Sequence, residues 1–296
     1  MTVVLWGRPD EAVVASVASA LAALNVDVVA ADTADVASID EDRLFTHSGY
    51  QIEMAGVTGV LVRPDTAVDP DVYAALAAWT ELTPAVVVNR LSVSGSNRSK
   101  PYQLGLIATA GFDVPDTLVT TSPDDVRRFI DEHRRVVYKS TSGVRSIVGV
   151  LSPDDDGRLA DVSACPTQFQ QYIPGIDYRV HVVGGELFAC RIESNAVDYR
   201  YAAWSGHTTV MRSVVLPAEI AQRCHAITER LGLALAGIDL RLDREGRWWC
   251  FEVNTAPGFI WFERHTGQPI AAAVARLLTG RTREPPSSST RVLQIS

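Results

Sequence analysis

The chain is expected to be an α/β protein: an open α/β unit at the front, then antiparallel α+β sheets. Three observations predict this. The first 90 or so residues alternate short apolar runs with Ala/Val/Leu-rich helical stretches, the pattern of β-α-β units. Two hairpin signals come later, one turning at Gly184-Gly185 and one at Asp243 to Gly246. Between these regions lies Leu91 to Ser99, rich in Ser, Gly and Asn, which reads as a linker.

Composition sets the outer bounds. With 296 residues, 47% hydrophobic and 21% charged, the chain can build one large domain or two to three small ones. A net charge of −8 argues against general binding to nucleic acid or an anionic membrane, while leaving room for local basic pockets. The four cysteines, Cys165, Cys190, Cys224 and Cys250, are widely spaced with no C-x-x-C pair. Neither a zinc site nor a disulfide framework follows, and reduced thiols in a cytoplasmic protein fit this usage. The opening M-T-V-V-L-W-G-R reads as a first strand rather than a signal peptide, and no apolar run is long enough to span a bilayer.

In chain order, Val3 to Trp6 is an apolar strand, Gly7 to Asp10 a turn, Glu11 to Leu24 a helix and Val26 to Ala30 a second strand. No G-x-G-x-x-G follows the first strand, so a dinucleotide site has no support. Val57 to Arg63 and Ala85 to Asn89 are further strands, separated by a helix at Asp71 to Trp79. Arg63 and Asn89 end strands, where α/β folds place ligand contacts, although a structural role accounts for both more plainly. After the linker, a helix opens at Lys100-Pro101 and closes at Gly111. Phe112 to Val119 runs into a strand, Ser122 caps a helix to about His133, and Val136 to Lys139 and Ser146 to Leu151 are strands. Thr167 to Ile173 alternates and stops at Pro174-Gly175; Asp177 to Val183 and Glu186 to Ile192 form the first hairpin. Pro217 to Leu231 is an amphipathic helix, the Asp239 to Asn254 hairpin follows, and Ile270 to Leu278 is a last helix. From Arg281 the composition turns to Pro, Ser and Arg, as in flexible tails.

The second hairpin carries the sharpest chemistry. Strand alternation puts Trp248, Cys250, Glu252 and Asn254 on one side and Trp249, Phe251 and Val253 on the other. If position 242 faces 247, Asp239 lies opposite Cys250 and diagonal to Glu252. Two carboxylates and an amide oxygen gathered there repel unless a cation sits between them, and hard oxygen ligands suit Mg²⁺. A solvated sheet face with chance acids is the competing account.

Other candidates are cationic. Lys100 opens a helix, where a cation opposes the helix dipole unless it faces an anion such as a phosphate; an exposed surface lysine is the plainer account. Lys139 lies in the otherwise apolar V-V-Y-K-S, followed by Ser140, Thr141, Ser142 and Gly143, whose hydroxyls and amides suit a polyphosphate; a strand-edge lysine with a plain turn is the competing account. Q-F-Q-Q-Y-I-P-G-I-D, residues 168 to 177, has the form of a hinge whose backbone could pair with a flat heterocycle while Asp177 accepts from sugar hydroxyls. Arg179, Arg191 and Arg200 lie on or after the Gly184-Gly185 hairpin. There 178 faces 191, so Arg179 and Arg191 point to opposite faces unless a bulge intervenes. Several arginines near two carboxylates suggest stabilisation of a transferring phosphoryl group or an oxyanion. The six histidines show no metal-ligand spacing, and no G-x-S-x-G elbow appears.

Together these pieces resemble the ATP-grasp ligases. A lysine opens a helix, a strand lysine and a hinge follow, and Asp239 precedes a closing E-V-N-T-A-P-G; the likeness covers about residues 95 to 280. Within that superfamily the chain is similar to the ribosomal-protein glutamate ligase (RimK) and glutathione synthetase branch. It is more similar still to the maturases that crosslink ribosomally made peptides, the microviridin or graspetide type. That narrower likeness rests on N-R-S-K-P-Y-Q-L, D-Y-R-V-H-V-V-G-G, V-D-Y-R and F-I-W-F-E-R-H-T-G-Q-P-I.

The resemblance implies an ATP-grasp fold with domains at 1–95, 96–167 and 168–280 and a tail at 281–296. It implies that Lys100, Lys139, Ser140 and Gly143 serve the ATP phosphates, that Gln170, Gln171, Tyr172 and Ile173 line adenine, and that Asp177 meets ribose. Asp239, Glu252 and Asn254 would ligate Mg²⁺, with Glu252 bridging two ions, and Arg179, Arg191 and Arg200 would face the γ-phosphate and an acyl phosphate. One departure stands out: the K-P-x-x-G-x-x-G loop of the family is here K-S-T-S-G-V-R-S, where Arg145 could replace a lost backbone contact. The implied reaction phosphorylates a carboxylate and lets an amine or hydroxyl attack the acyl phosphate. Ser140 to Gly143 and Asp198 to His207 are candidate closing loops. The implied partner is a peptide, or else a free amino acid or small metabolite acid, with neither nucleic acid nor membrane, and a homodimer is compatible. A nucleotide-binding regulatory protein without turnover is the rival from another class.

Overall fold

The computed structural model describes residues 1–32, 35–40, 43–49, 51–64, 69–140, 149–151, 153–195, 199, 206 and 208–281. The first unit runs β1 (Thr2–Gly7), α1 (Ala12–Ala23), β2 (Asp27–Ala31), β3 (Val36–Ile39), β4 (Arg43–Thr46), β5 (Gln51–Glu53), β6 (Val57–Arg63), α2 (Pro70–Leu82) and β7 (Val86–Val88). β2-β1-β6-β7 form a parallel sheet. This is the expected open α/β unit, in which near-continuous apolar strands are buried on both faces. Asp69 caps α2, its side chain accepting from the Asp71 and Val72 amides. The antiparallel β3-β4-β5 sheet was not expected, because strands of three or four residues are too short to show a period.

The middle comprises α3 (Lys100–Thr109), β8 (Thr117–Thr120), α4 (Pro123–His133), β9 (Val136–Ser140), β10 (Gly149–Val150) and β11 (Thr167–Gln171). Its antiparallel sheet has the order β10-β9-β11-β8. The last part holds β12 (Ile176–Val183), β13 (Glu186–Ser194), β14 (Thr209–Val214), α5 (Ala218–Arg230), β15 (Leu235–Leu242), β16 (Trp248–Asn254), α6 (Ile260–Thr266) and α7 (Ile270–Leu278). Its sheet, β14-β13-β12-β15-β16, contains both predicted hairpins.

Packing redraws the expected boundaries in three places. β11 pairs with both β8 and β9, so the central sheet extends to Gln171 rather than ending at 167. Leu104 and Ile107 of α3 share a core with α5 and β12, β15 and β16, which assigns α3 to the C-terminal sheet. Ile270, Val274 and Leu278 of α7 pack with Val13, Val14 and Val17 of α1 and Val3 and Leu5 of β1. The last helix therefore closes the core of the first unit. Its apolar stripe was legible, but what it would cover was not. Asn89 reinforces this junction. Its side chain donates to the carbonyls of Leu235 and Thr255 and accepts from the amides of Ala234 and Leu235, so its role is structural.

Candidate active site

β15 and β16 bring the two acids together through a bulge. Leu242 pairs with Trp248 and Leu240 with Cys250, but Asp239 pairs with Glu252, leaving Phe251 as the extra residue. Two departures correct the expected diagonal arrangement: the turn sets Leu242 against Trp248 rather than 247, and the bulge adds one more residue, so Asp239 and Glu252 are directly opposite. The bulge also breaks the alternation along β16. Trp248, Cys250 and Val253 turn to the core beneath α5, and Glu252 joins Asp239 on the other face.

Each acid is met by a cation. Lys100 Nζ lies 2.6 Å from Glu252 Oε1, and Arg179 Nη1 lies 2.7 Å from Asp239 Oδ1. Lys100 reaches the sheet because Gln103, one turn further along α3, clamps the edge of β16. Its amide donates to the Val253 carbonyl (2.8 Å) and accepts from the Val253 amide (3.1 Å). Burial pushes the Glu252 carboxyl up, but Lys100, Lys139 and Arg179 outweigh it and hold the pKa below the usual carboxylate value. Lys139 belongs to the central sheet, so a helix lysine and a central-sheet lysine act on one acid. Beside Lys139, directly across β9 and β11, the buried Gln168 amide nitrogen has no hydrogen-bond partner among the described residues, which leaves a donor on this face.

Residues 97–278 match the RimK-like ATP-grasp domain. The chain belongs to that family. A probable α-L-glutamate ligase of Aliivibrio fischeri is 27% identical over 198 residues, 63% of this chain and 65% of that protein. Human N-acetylaspartylglutamate synthase A is 27% identical over 246 residues, 77% of this chain and 62% of that protein. The chain thus spans less than two thirds of the length of these curated relatives. Among solved structures, the ATP-grasp ligase PsnB, complexed with a phosphomimetic variant of its minimal precursor, Mg and ADP, superposes with a TM-score of 0.80 at 26% identity, covering 95% of this chain and 98% of that one. Macrocyclase MdnC of Microcystis aeruginosa, bound with precursor peptide MdnA, has the same fold (TM-score 0.80, 20% identity, 95% and 100% covered).

In this RimK-like chain Arg179 is buried and lies across Gly237. A Cβ there would stand 2.2 Å from Arg179 Nη2 and 2.6 Å from Pro257 Cβ, so only glycine leaves the passage open. Arg179 Nε donates to His181 Nε2 at 3.3 Å, and burial together with Arg179 keeps His181 far below its usual pKa and neutral. Arg191 sits opposite Tyr178, with its Nη2 3.2 Å from Glu193. Strand alternation sends it to the face opposite Arg179, so the structure does not bring these two arginines together. Asp177 pairs with Arg241 at 2.7 Å, and Arg241 Nη1 also donates to the Ile173 carbonyl. Gln170 is buried and donates to Thr117; Gln171 and Tyr172 spend their amides on Asp116 and Arg135. The Arg135 guanidinium lies 3.7 Å from the centre of the Tyr172 ring. Asn254 Oδ1 accepts from the Ala256 amide. Gly143, Arg145, Arg200, the side chain of Ser140, most of the 198–207 loop and the tail from 282 lie outside the described residues.

Gln103, Gln168, His181, Gly237 and Arg241 were missed by sequence reasoning. Gln103 had a usable signal, lying at i+3 from Lys100 on the same helix face. The others act through cross-strand neighbours that no linear spacing shows. Burial pushes the Cys190 thiol up to about 11 and Cys224 up to about 12, which removes both as nucleophiles at neutral pH. Among the described residues no helix is long and apolar enough to cross a membrane.

Proposed function

We propose that the chain is an ATP-dependent ligase that phosphorylates a carboxylate and joins the acyl phosphate to an amine or a hydroxyl, with a peptide as substrate. The observation that carries this reading is the Lys100–Glu252 pair, 2.6 Å apart and directly beside Asp239, with the Lys139 charge of the central sheet also acting on Glu252. Such a clamp suits a triphosphate and a cation between two sheets. The donor set fits magnesium. Asp239 and Glu252, directly opposite each other, are two hard carboxylates of the kind that share magnesium with nucleotide phosphates.

Asp239, Glu252 and Asn254 would hold the metal, with Glu252 shared between two ions. Bound magnesium supplies Lewis-acid charge neutralisation on the phosphates. Lys100 and Lys139 bind phosphate oxygens, and the Gln168 amide offers a further donor next to Lys139. Arg179, held by His181 and Asp239, offers a fixed guanidinium at the point where charge develops on the transferring group. The carboxylate oxygen attacks the γ-phosphorus and ADP leaves. The nucleophile then attacks the acyl carbon, phosphate leaves and the nucleophile loses its proton. The hinge at Gln170 to Ile173 lines adenine and Asp177 meets ribose, with Arg191, Ser140, Gly143 and Arg200 as further candidates.

A peptide substrate is supported by the likeness to PsnB, whose structure holds a precursor, over nearly the whole chain. Amino-acid ligation is the second reading, supported by relatives named for that reaction. ADP release with Mg·ATP, followed by mass spectrometry of the acceptor, separates them. A peptide lighter by one water marks a crosslink, and a gain of one amino-acid residue marks the alternative. No ADP release with either acceptor class would refute the ligase reading.

A further inference from the structure

In the first unit's parallel sheet the chain passes from β1 to β2 on one side, while β6 and β7 lie on the other. In open α/β sheets, ligands bind outside the carboxyl ends of the strands at such a reversal. Here that crevice is a cleft of about 410 Å³, within the range of small-molecule sites. Arg8, just after β1, and Arg63, ending β6, line it with Glu11, Asn89, Thr255 and Ala256. Thr255 directly follows Asn254, so the cleft adjoins the end of the acid-bearing strand.

Arg63 is rigidly aimed. Its Nε donates to both Glu11 oxygens (2.8 and 2.6 Å), and its Nη1 reaches the Pro257 carbonyl at 3.5 Å. The Pro257 ring borders the spot where Arg179 crosses Gly237, so Arg63 and Arg179 flank the same loop residue. Arg8 stands at the mouth, more than half exposed, 3.2 Å from Asp10. Asn89 has spent its side chain on four backbone groups and serves as wall. Among the described residues the charges lining the cleft are therefore two guanidinium groups against the Glu11 carboxylate. A carboxylate about to be phosphorylated must be held in one orientation, and a fixed guanidinium provides that through charge-assisted hydrogen bonds.

We infer that this cleft is the subsite for the acidic side chain that the ligase activates, with Arg63 as its orienting contact, Glu11 holding Arg63 in place and Arg8 guiding entry. The inference rests on the ligase reading and names where its carboxylate binds.

The test uses N-acetyl-L-glutamate α-amide as probe and the isosteric glutamine α-amide as control, with saturation-transfer NMR on the whole chain in Mg·ADP. The wild type should transfer to the glutamate probe and much less to the control. Arg63→Gln should weaken probe binding about tenfold, the loss of one charge-assisted hydrogen bond. Arg8→Gln, at an exposed position with little risk to folding, should weaken it as well, and thermal unfolding checks that both variants fold. No transfer to the wild type, or equal transfer to wild type and both variants, overturns the inference. Calorimetry of Mg·ADP with the wild type fails separately if the ligase reading itself is wrong.

Discussion

Replacing Glu252 by Gln removes a negative charge on which Lys100, Lys139 and Arg179 all act. At the 2.6 Å Lys100–Glu252 separation, an effective dielectric near 20 gives an attraction of about 6 kcal/mol. Desolvation takes most of that back, and because the two side chains remain 18% and 24% exposed, a net coupling of about 2 kcal/mol is expected. For a chain of 296 residues unfolding as one unit, this corresponds to about 3 °C in Tm. Glu252→Gln and Lys100→Met should each lose about that much, the first by leaving the lysines without their acid and the second by leaving a half-buried carboxylate without its direct partner. The double variant should recover most of it. Calorimetric unfolding at low salt without nucleotide reads the cycle. Losses that simply add in the double variant would refute the pairing argument. Glu252→Gln should also abolish Mg·ATP consumption, and full turnover in that variant would remove Glu252 from the metal site.

Three further outcomes are expected. Gly237→Ala places a Cβ 2.2 Å from Arg179 Nη2 and must push the guanidinium off Asp239. ADP release should fall roughly a hundredfold while far-UV dichroism stays native, and unchanged turnover would show that Arg179 does not act from this position. His181 is buried and neutral, so below about pH 6.5 the unfolded chain takes up a proton that the native state refuses. Stability should therefore decline as pH falls through that range, by up to about 1.4 kcal/mol per unit from this residue. His181→Phe should flatten that part of the urea-midpoint profile between pH 7 and 5; an unaltered slope would contradict the buried neutral imidazole. Lys139→Ala should weaken Mg·ATP binding about tenfold or more by calorimetry, and equal affinity would take Lys139 out of the clamp.

Much of the fold was legible because its signals are local. The apolar runs at Val3 to Trp6 and Val57 to Arg63, the Gly184-Gly185 turn and the Pro101 and Gly111 helix boundaries each depend on a few neighbouring residues. The Tyr178–Arg191 register followed directly from the turn position. Legibility stopped where one residue changes a count. The extra Phe251 moves Cys250 off the face of Glu252 and, with a turn that sets Leu242 against Trp248 rather than 247, makes Asp239 and Glu252 direct neighbours; nothing in W-W-C-F-E-V-N announces it. The six-residue strand β14 and the short helix α6 were likewise unforeseen, since Phe259 to Thr266 offered a motif before it offered a period.

The order of residue types along the chain was enough to determine the kind of protein this is: two lysines, a hinge and an acid-bearing hairpin, in that succession, name a chemistry because each element forms from its own residues. Folding alone decided which side chains meet. Lys100 touches Glu252 because Gln103 binds the edge of β16 across 150 positions of sequence, and Arg179 touches Asp239 because Gly237 leaves it room. Contacts of that kind depend on bulges, edges and the absence of a Cβ, which are properties of packed backbones and have no period that a sequence can display.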